Sequence, residues 1–315
     1  MSRGNDKDTL GCRIKSYEVL STSRQLMPNC PVYARIDGRA FHTLCNGLKK
    51  PYSMAFIQAM QEVCKYLVGE TGASVGYVQS DEISLGWPDY TKAPFEGRIQ
   101  KLESVLASMA GARFVQYVEA SKYGGLHIND GIAKLWDRCN RYLPSFDCRV
   151  FNVPSLIELA NAFLWRENDA IKNSITGMAL NFFSNRQIQG KSGEDKIAMM
   201  KDMGYDFYSE TYEPFIRGTF YHREDYLKEL SEEELSKIPQ NQRYNLVNRS
   251  EVDKEGHLIK EIWACCRSRI VPMVLPWRLT DTLDVTGVLF NGVQPLCNKD
   301  NPTFYLTGPK KEVKE

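Results

Sequence analysis

Two strand-like runs separated by a short acidic break constrain this sequence most. The runs lie in residues 75–87, VGYVQSDEISLGW, where β-branched and aromatic residues flank Gln79, Ser80, Asp81 and Glu82. This pattern predicts a tight hairpin or a strand edge. Two interpretations of the paired acids remain open at this point. Either Asp81 is a metal carboxylate that Glu82 supports, or both acids belong to a solvated turn.

A second stretch, residues 30–44 (CPVYARIDGRAFHTL), ends a strand-like run in Asp37 and Gly38. An aspartate at a strand end, with glycine next to it, can offer one cation a carboxylate and an exposed backbone carbonyl. Two aspartates from separate strands that meet over a metal pair are what in-line nucleotidyl transfer requires. Mg²⁺ suits such a site because it takes few carboxylates and leaves other positions to water and phosphate oxygens. Together, Asp37 and Asp81 favour a two-metal site.

The two stretches closely resemble the tRNA(His) guanylyltransferase family and its relatives, the 3′-to-5′ nucleotide polymerases. The resemblance extends over about residues 10–225. Further blocks follow in family order at residues 98–118 (RIQKLESVLASMAGARFVQYV), 146–154 (FDCRVFNVP), 163–175 (FLWRENDAIKNSI), 190–196 (GKSGEDK) and 215–223 (FIRGTFYHR).

The resemblance assigns roles to individual residues. It implies Asp37, Asp81 and Glu82 as catalytic acids, with two Mg²⁺ ions bound by Asp37, Asp81 and the Gly38 carbonyl. Cations and hydroxyls suit the nucleotide because phosphate oxygens accept charge-assisted hydrogen bonds. The implied nucleotide-binding residues are Arg35, Arg39, Ala40, Phe41, His42, Lys50, Ser80, Arg98, Lys101, Asp169 and Asn173, and the implied RNA or phosphate contacts are Lys191, Lys196 and Arg217. The structural alternative for each charged residue is a solvated surface position and, for His42, a half-buried hydrogen-bonded side chain.

One segment departs from the eukaryotic members of that family. They carry His-Ile-Asn-Asn where this chain has residues 171–174, IKNS, so that Asn173 is retained and Ile171 replaces the histidine. In this respect the chain resembles the bacterial and archaeal relatives, which add nucleotides to incomplete 5′ ends with the opposite strand as template. We therefore expect templated 5′-end repair of a truncated tRNA rather than strict selection of tRNA(His).

The order of the predicted elements is typical of an α+β palm. A strand, a helix, the hairpin, a second helix and a second strand would give an antiparallel sheet with helices on one face. The resemblance implies the same polymerase- and cyclase-like palm. We divide the chain into a palm-type catalytic domain, residues 1–226, and a C-terminal accessory region, residues 227–315. The predicted elements of that region are an acidic helix at 231–238 and strand-like runs at 262–275 and 285–290.

Composition excludes several other classes of protein. The formal net charge of +1 gives no global signal for nucleic acid, so RNA binding must come from local patches. Nine cysteines without a Cys-x-x-Cys pair argue against zinc or disulfide frameworks and favour a reducing, cytoplasmic location. No run approaches about 18 apolar residues, so we expect no membrane span. Lys191 follows a glycine but lacks the spacing of a P-loop.

The sequence thus predicts a Mg²⁺-dependent nucleotidyltransferase acting on the 5′ end of tRNA or tRNA-like RNA. The resemblance implies that ATP or GTP activates a 5′-monophosphate, which the 3′-hydroxyl of an incoming NTP then attacks. It also implies a homo-oligomer, a tetramer in the family. Two alternatives remain open. One is a nucleotidyl cyclase on the same palm, which needs no RNA, and the other is a catalytically silent RNA-binding protein, against which the retained acids argue.

Overall fold

A computed structural model describes residues 9–123, 130–240, 246–252 and 258–273, together with Leu289. The strands are β1 Val32–Gly38, β2 Val75–Gln79, β3 Glu82–Trp87, β4 Phe146–Asn152, β5 Thr219–Glu229, β6 Val247–Val252 and β7 Leu258–Pro272. The helices are α1 Thr9–Thr22, α2 Phe41–Leu44, α3 Met54–Thr71, α4 Ile99–Tyr123, α5 Asp130–Tyr142, α6 Leu156–Phe182, α7 Asn185–Ile188, α8 Gly193–Asp202, α9 Phe207–Glu210, α10 Glu213–Arg217 and α11 Glu232–Ser236.

The strands form one antiparallel sheet in the order β4-β1-β3-β2-β5-β7-β6. The predicted hairpin is confirmed as β2 and β3, joined by Ser80 and Asp81. Ser80 has a φ of 50°, the left-handed conformation that closes so short a turn. Strand β1, next to the edge strand β4, lies between β3 and β4, with Asp37 opposite Glu82 on one side and opposite Asp147 on the other.

Alternation along β1 separates the two faces of the sheet. Val32, Ala34 and Ile36 belong to the large core that α3, α4 and α5 cover, whereas Tyr33 belongs to a second core beneath α6. Because side chains alternate with a period of two, Arg35 and Asp37 share the α6 face with Tyr33. The α+β fold class with an antiparallel sheet is confirmed, and the structure adds α6 on the face that the sequence pattern left bare.

A glycine lets α6 approach that second face. A Cβ at Gly86 of β3 would lie 2.8 Å from the ring of Phe163 on α6. No real Cβ tolerates such a contact, and so the ring occupies the space that a side chain at this position would fill. Phe163 packs edge-on against Tyr33, with 5.4 Å between ring centroids, and this contact holds α6 above the centre of the sheet.

The sheet continues into the C-terminal part of the chain. β5 pairs with β2 on one side and with β7 on the other, so the boundary predicted between residues 226 and 227 falls inside this strand. The predicted acidic helix corresponds to α11, which Ser231 caps, and the run at 262–275 corresponds to β7. The run at 285–290 lies outside the described residues except for Leu289. Within the described ranges, no helix is long and apolar enough to cross a membrane.

Candidate active site

The fold brings Asp37 and Asp81 side by side. Asp37 lies near the end of β1, and Asp81 lies in the turn between β2 and β3, where its carbonyl oxygen accepts a 2.9 Å hydrogen bond from the N–H of Gly38. Burial raises the pKa of the Asp81 carboxyl, and the charge of nearby Asp37 raises it as well. A carboxylate whose ionised form is disfavoured in this way is stabilised by a bound cation.

Gly38 connects β1 directly to α2. A Cβ at this position would overlap the ring of Phe41. That ring cannot move aside easily, because it packs in an aromatic cluster with Phe56, Phe114 and Phe146, at centroid distances of 5.9, 5.7 and 4.9 Å. The glycine therefore allows the chain to pass from the strand towards the helix at the Asp37 end of the sheet.

The donor set fits Mg²⁺. Two carboxylates and a backbone carbonyl are hard oxygen ligands, and Mg²⁺ is commonly held by one or two carboxylates while water and substrate phosphates complete its coordination. In the part of the chain that the structure describes, no group of three or more His, Cys, Asp or Glu side chains is placed to hold a metal. Two carboxylates leave coordination positions of Mg²⁺ open to water and to the phosphates of a nucleotide.

Glu82 is engaged by guanidinium groups. Its Oε1 accepts a 2.5 Å hydrogen bond from Nε of Arg166, and its Oε2 lies 3.9 Å from Nε of Arg35. Burial raises the pKa of Glu82, and the hydrogen bond from Arg166 opposes that rise. The sequence predicts Glu82 as a catalytic residue that supports Asp81, and these contacts favour a role in orienting the aspartates.

Arg166 is a site residue that the sequence analysis missed. Besides Glu82, its guanidinium donates a 3.1 Å hydrogen bond to Asp169, which also accepts one of 3.2 Å from Asn173. A signal was available, because Arg166 and Asp169 stand three residues apart in one predicted helix and so lie on one side of it. The contact of Arg166 with Glu82, 84 residues away, had no such signal.

Three predicted nucleotide ligands line one cavity beside the hairpin turn. Lys50, Ser80 and Asn173 come from three separate segments and border a volume of about 270 Å³. The aromatic side chains of Tyr52 and Phe215 form another part of its wall, with 4.8 Å between their ring centroids. An ammonium group, a hydroxyl and an amide near two rings form a suitable lining for a nucleoside triphosphate.

The segment after Gly38 is only partly suited to ligand binding. Arg39, Ala40 and His42 are exposed next to the site. The charge of nearby His42 opposes the rise in the pKa of Asp81. Phe41 is different, since it is 3% exposed within the aromatic cluster. We therefore correct its predicted role from nucleotide contact to packing, which the motif alone could not distinguish.

Arg98 and Lys101 lie away from the aspartates. Arg98 immediately precedes α4 and forms an isolated β-bridge with Gln25. Phe114, sixteen residues farther along the chain, lies in α4 and packs against Phe41 in the aromatic cluster next to the aspartates. Sixteen residues of helix span about 24 Å. The structure thus does not bring Arg98 and Lys101 to the cavity, and we remove both from the candidate nucleotide site.

The predicted RNA contacts also separate into two groups. Lys191 is exposed before α8, and the ammonium of Lys196 donates a 3.1 Å hydrogen bond to Thr176 on α6. Arg217 is 4% exposed, and its guanidinium contacts Glu167 at 2.7 Å through Nε and at 2.6 Å through Nη2. This burial and pairing do not fit a contact with RNA, so we assign Arg217 a structural role in place of the predicted one.

Comparison with known proteins points to one family. A family model described as tRNAHis guanylyltransferase matches residues 11–154. The tRNA(His) guanylyltransferase of Debaryomyces hansenii is 27% identical over 252 residues, which cover 74% of this chain and 88% of that protein.

Solved structures give the same result. A bacterial tRNA(His) guanylyltransferase-like protein in complex with ATP is 34% identical, with a TM-score of 0.57, and the match covers 68% of this chain and 88% of the other. For such a bacterial protein in complex with GTP the identity is 31%, the TM-score is 0.53 and the coverages are 70% and 87%. The enzyme of Saccharomyces cerevisiae, at 21% identity and a TM-score of 0.53, shares the fold.

Proposed function

The chain belongs to the tRNA(His) guanylyltransferase family, and on this premise we propose that it is a Mg²⁺-dependent 3′-to-5′ nucleotidyltransferase acting on the 5′ end of tRNA. The observation that carries the proposal is the meeting of Asp37 and Asp81 beside a cavity lined by Lys50, Ser80 and Asn173. Metal-binding carboxylates next to a cavity of this chemistry support transfer of a nucleotide rather than hydrolysis through a protein nucleophile.

ATP and GTP are the proposed nucleotide substrates. The similar bacterial proteins carry each of them. In this chain, Lys50 and Ser80 are suited to the phosphates, and Tyr52 and Phe215 are suited to the base. Asn173 and Asp169 bond to each other on α6, which fixes the amide at the mouth of the cavity.

The reaction needs positioning and charge neutralisation more than covalent chemistry. Metal ions held by Asp37, Asp81 and the Gly38 carbonyl would supply neutralisation of the transferring phosphate and activation of the attacking hydroxyl. Lys50 and Ser80 hold the triphosphate so that the 3′-hydroxyl faces the activated 5′ phosphate of the RNA. Arg166 and Arg35 keep Glu82 in place directly opposite Asp37, which preserves the shape of the site.

Templated repair of incomplete 5′ ends is the finer activity that we propose. Ile171 replaces the histidine of the eukaryotic segment, and the ATP- and GTP-bound bacterial proteins are more similar in sequence than the yeast enzyme. A homotetramer, a cytoplasmic location and an accessory role for residues 227–315 stay predictions.

The test is addition to a 5′-truncated, 5′-monophosphorylated tRNA in the presence of Mg²⁺, ATP and each labelled NTP in turn. We expect incorporation that follows the template base, lost in Asp37→Asn and in Asp81→Asn and retained in the control Asp202→Asn, an exposed carboxylate at the end of α8. Addition of G alone, and only to tRNA(His), would instead identify a dedicated guanylyltransferase. Cyclic nucleotide formed from NTP without RNA would identify the cyclase.

A further inference from the structure

Two arginines face each other across neighbouring strands next to the site. Arg35 of β1 and Arg149 of β4 are direct partners in the antiparallel register, and so they project from the same face of the sheet. Directly opposite side chains in such a pair have Cβ atoms about 4.5–5.5 Å apart, and like charges there destabilise the sheet. Arg149 is 56% exposed and approaches Asp147 at 3.8 Å, which is too long for a hydrogen bond. An anion between the two guanidinium groups would relieve this repulsion.

An exposed indole lies beside Arg35 of β1. Trp165 of α6 is 55% exposed, which is unusual for so large an apolar side chain. Its ring lies 5.7 Å from Cζ of Arg35 and 4.5 Å from Cζ of Arg166, so cations on one side hold it in place. An open depression of about 290 Å³ runs beside it along α6, and Lys172 lies two turns farther on. An ordered, exposed ring with cations around it is a stacking platform for a base.

The position of this surface relative to Asp37 suggests what it binds. Arg35 lies two residues before Asp37 on the same face of β1, a separation of about 7 Å. In the sheet, β3 and its hairpin turn flank β1 on one side and β4 flanks it on the other. The nucleotide cavity lies on the hairpin side, because Ser80 lines it, and Arg149 lies on the β4 side. The nucleotide and the RNA can therefore approach Asp37 from opposite sides of β1.

We propose that Arg35, Arg149 and Trp165, here called the β4-side patch, bind the 5′-terminal nucleotide of the RNA substrate. Trp165 stacks on its base, and Arg149 with Arg35 binds its phosphate. This inference rests on the proposed function. It gives roles to Arg149 and Trp165, which neither the motifs nor the nucleotide cavity assigned, and it moves Arg35, which does not line the cavity, from the predicted nucleotide ligands to the RNA side. A base with a 5′ phosphate is also present in a free nucleotide, but Arg149 and Trp165 are more than half exposed, which suits the end of a large RNA.

Binding without chemistry tests the patch. We would titrate 5′-monophosphorylated tRNA onto the protein in the absence of NTP, at several salt concentrations. Arg149→Ala should weaken binding roughly fivefold to tenfold and lower the salt dependence by about one phosphate contact. Trp165→Ala should weaken it roughly tenfold, and Trp165→Phe should retain most of the affinity because a ring remains. The matched control is Arg269→Ala, a strand arginine that is also 56% exposed and pairs with Glu224 on β5, away from the site.

A fluorescent base locates the contact. 2-Aminopurine at the 5′-terminal position of the tRNA should be quenched on binding to the wild type and remain bright with Trp165→Ala, whereas the same base near the 3′ end should respond equally to both proteins. The KM for ATP should be unchanged in Arg149→Ala. Quenching that persists in Trp165→Ala, or unaltered tRNA affinity in both alanine variants, overturns the proposal.

The remaining outcomes separate the two proposals. If the KM for ATP of Arg149→Ala rises by the same factor by which its tRNA affinity falls, the patch binds a free nucleotide and the RNA assignment is overturned. A wild type that binds tRNA at the patch but transfers no nucleotide would refute the proposed function alone. A wild type that does not bind tRNA at all would refute both.

Discussion

Burial, rather than distance, should decide what an ion pair contributes to the stability of this protein. Two pairs have the same separation of 2.6 Å between charged atoms. Glu167 and Arg217 have side chains that are 2% and 5% exposed, whereas Glu233 and Lys237 are 80% and 69% exposed. The buried pair joins α6 to α10, and the carbonyl of Arg217 accepts a 2.9 Å hydrogen bond from the hydroxyl of Tyr77 on β2. The exposed pair lies on the surface of α11.

The substitution Glu167→Gln removes one charge with little change in shape and leaves the guanidinium of Arg217 buried without its main carboxylate. Breaking a buried pair in this way costs about 3–5 kcal/mol, and the retained amide oxygen places the expected loss near 3 kcal/mol. At an m-value of about 3 kcal/mol per molar urea, this loss lowers the denaturation midpoint by about 1 M. Glu233→Gln, the control, should leave the midpoint within error, since solvent screens an exposed pair.

Urea denaturation followed by circular dichroism gives both midpoints. The double variant Glu167→Leu, Arg217→Met should recover most of the stability, because replacing both charges by apolar groups leaves no uncompensated buried ion. Equal shifts for Glu167→Gln and Glu233→Gln would refute the reasoning, as would a double variant less stable than Glu167→Gln alone.

Three further changes test the site. Lys50→Ala should raise the KM for the added nucleotide roughly tenfold or more, since it removes a charge-assisted hydrogen bond. The control Lys101→Ala, at the end of α4 away from the aspartates, should leave that KM unchanged. Equal effects of the two variants in steady-state assays would contradict the placement of the cavity. Gly38→Ala should lower the free energy of unfolding by about 1–3 kcal/mol, because its Cβ would overlap a packed aromatic ring. An unchanged urea denaturation midpoint would contradict this reasoning. Arg166→Met should lower kcat roughly tenfold to a hundredfold with a smaller change in the nucleotide KM, as expected when an orienting partner of Glu82 is lost. Reduced stability with an unchanged kcat would show that Arg166 serves folding only.

Much of the fold could be predicted from local sequence patterns. The hairpin of β2 and β3 follows from strand formers around a two-residue turn, and α3 follows from apolar residues at helical spacing. The helix passes Gly69 and ends at Thr71, because Gly72, with a φ of 70°, provides the cap. A glycine in the last turn resembles a stop signal, but only the backbone conformation distinguishes the two.

Long-range placement could not be predicted from the same patterns. The resemblance assigned Arg98 and Lys101 to the nucleotide, but a sequence pattern does not say at which end of the sheet α4 begins. Strand alternation likewise does not reveal that α6 covers the second face, because Gly86 and Phe163 that permit the contact are 77 residues apart. The pairing of Glu82 with Arg166 depends on that same docking of α6.

The pairing of β2 with β5 also determines how late in translation the sheet can be completed. Residue 75 cannot pair with residue 222 until most of the chain has been translated, a delay of roughly 7–30 s at ordinary elongation rates. During that interval β1, β3 and β4 can already assemble, while the outer edge of β2, next to the catalytic turn, lacks its hydrogen-bonding partner. Such an edge can pair with another nascent chain. The last strands of the sheet therefore complete the catalytic end and also protect it from misassembly.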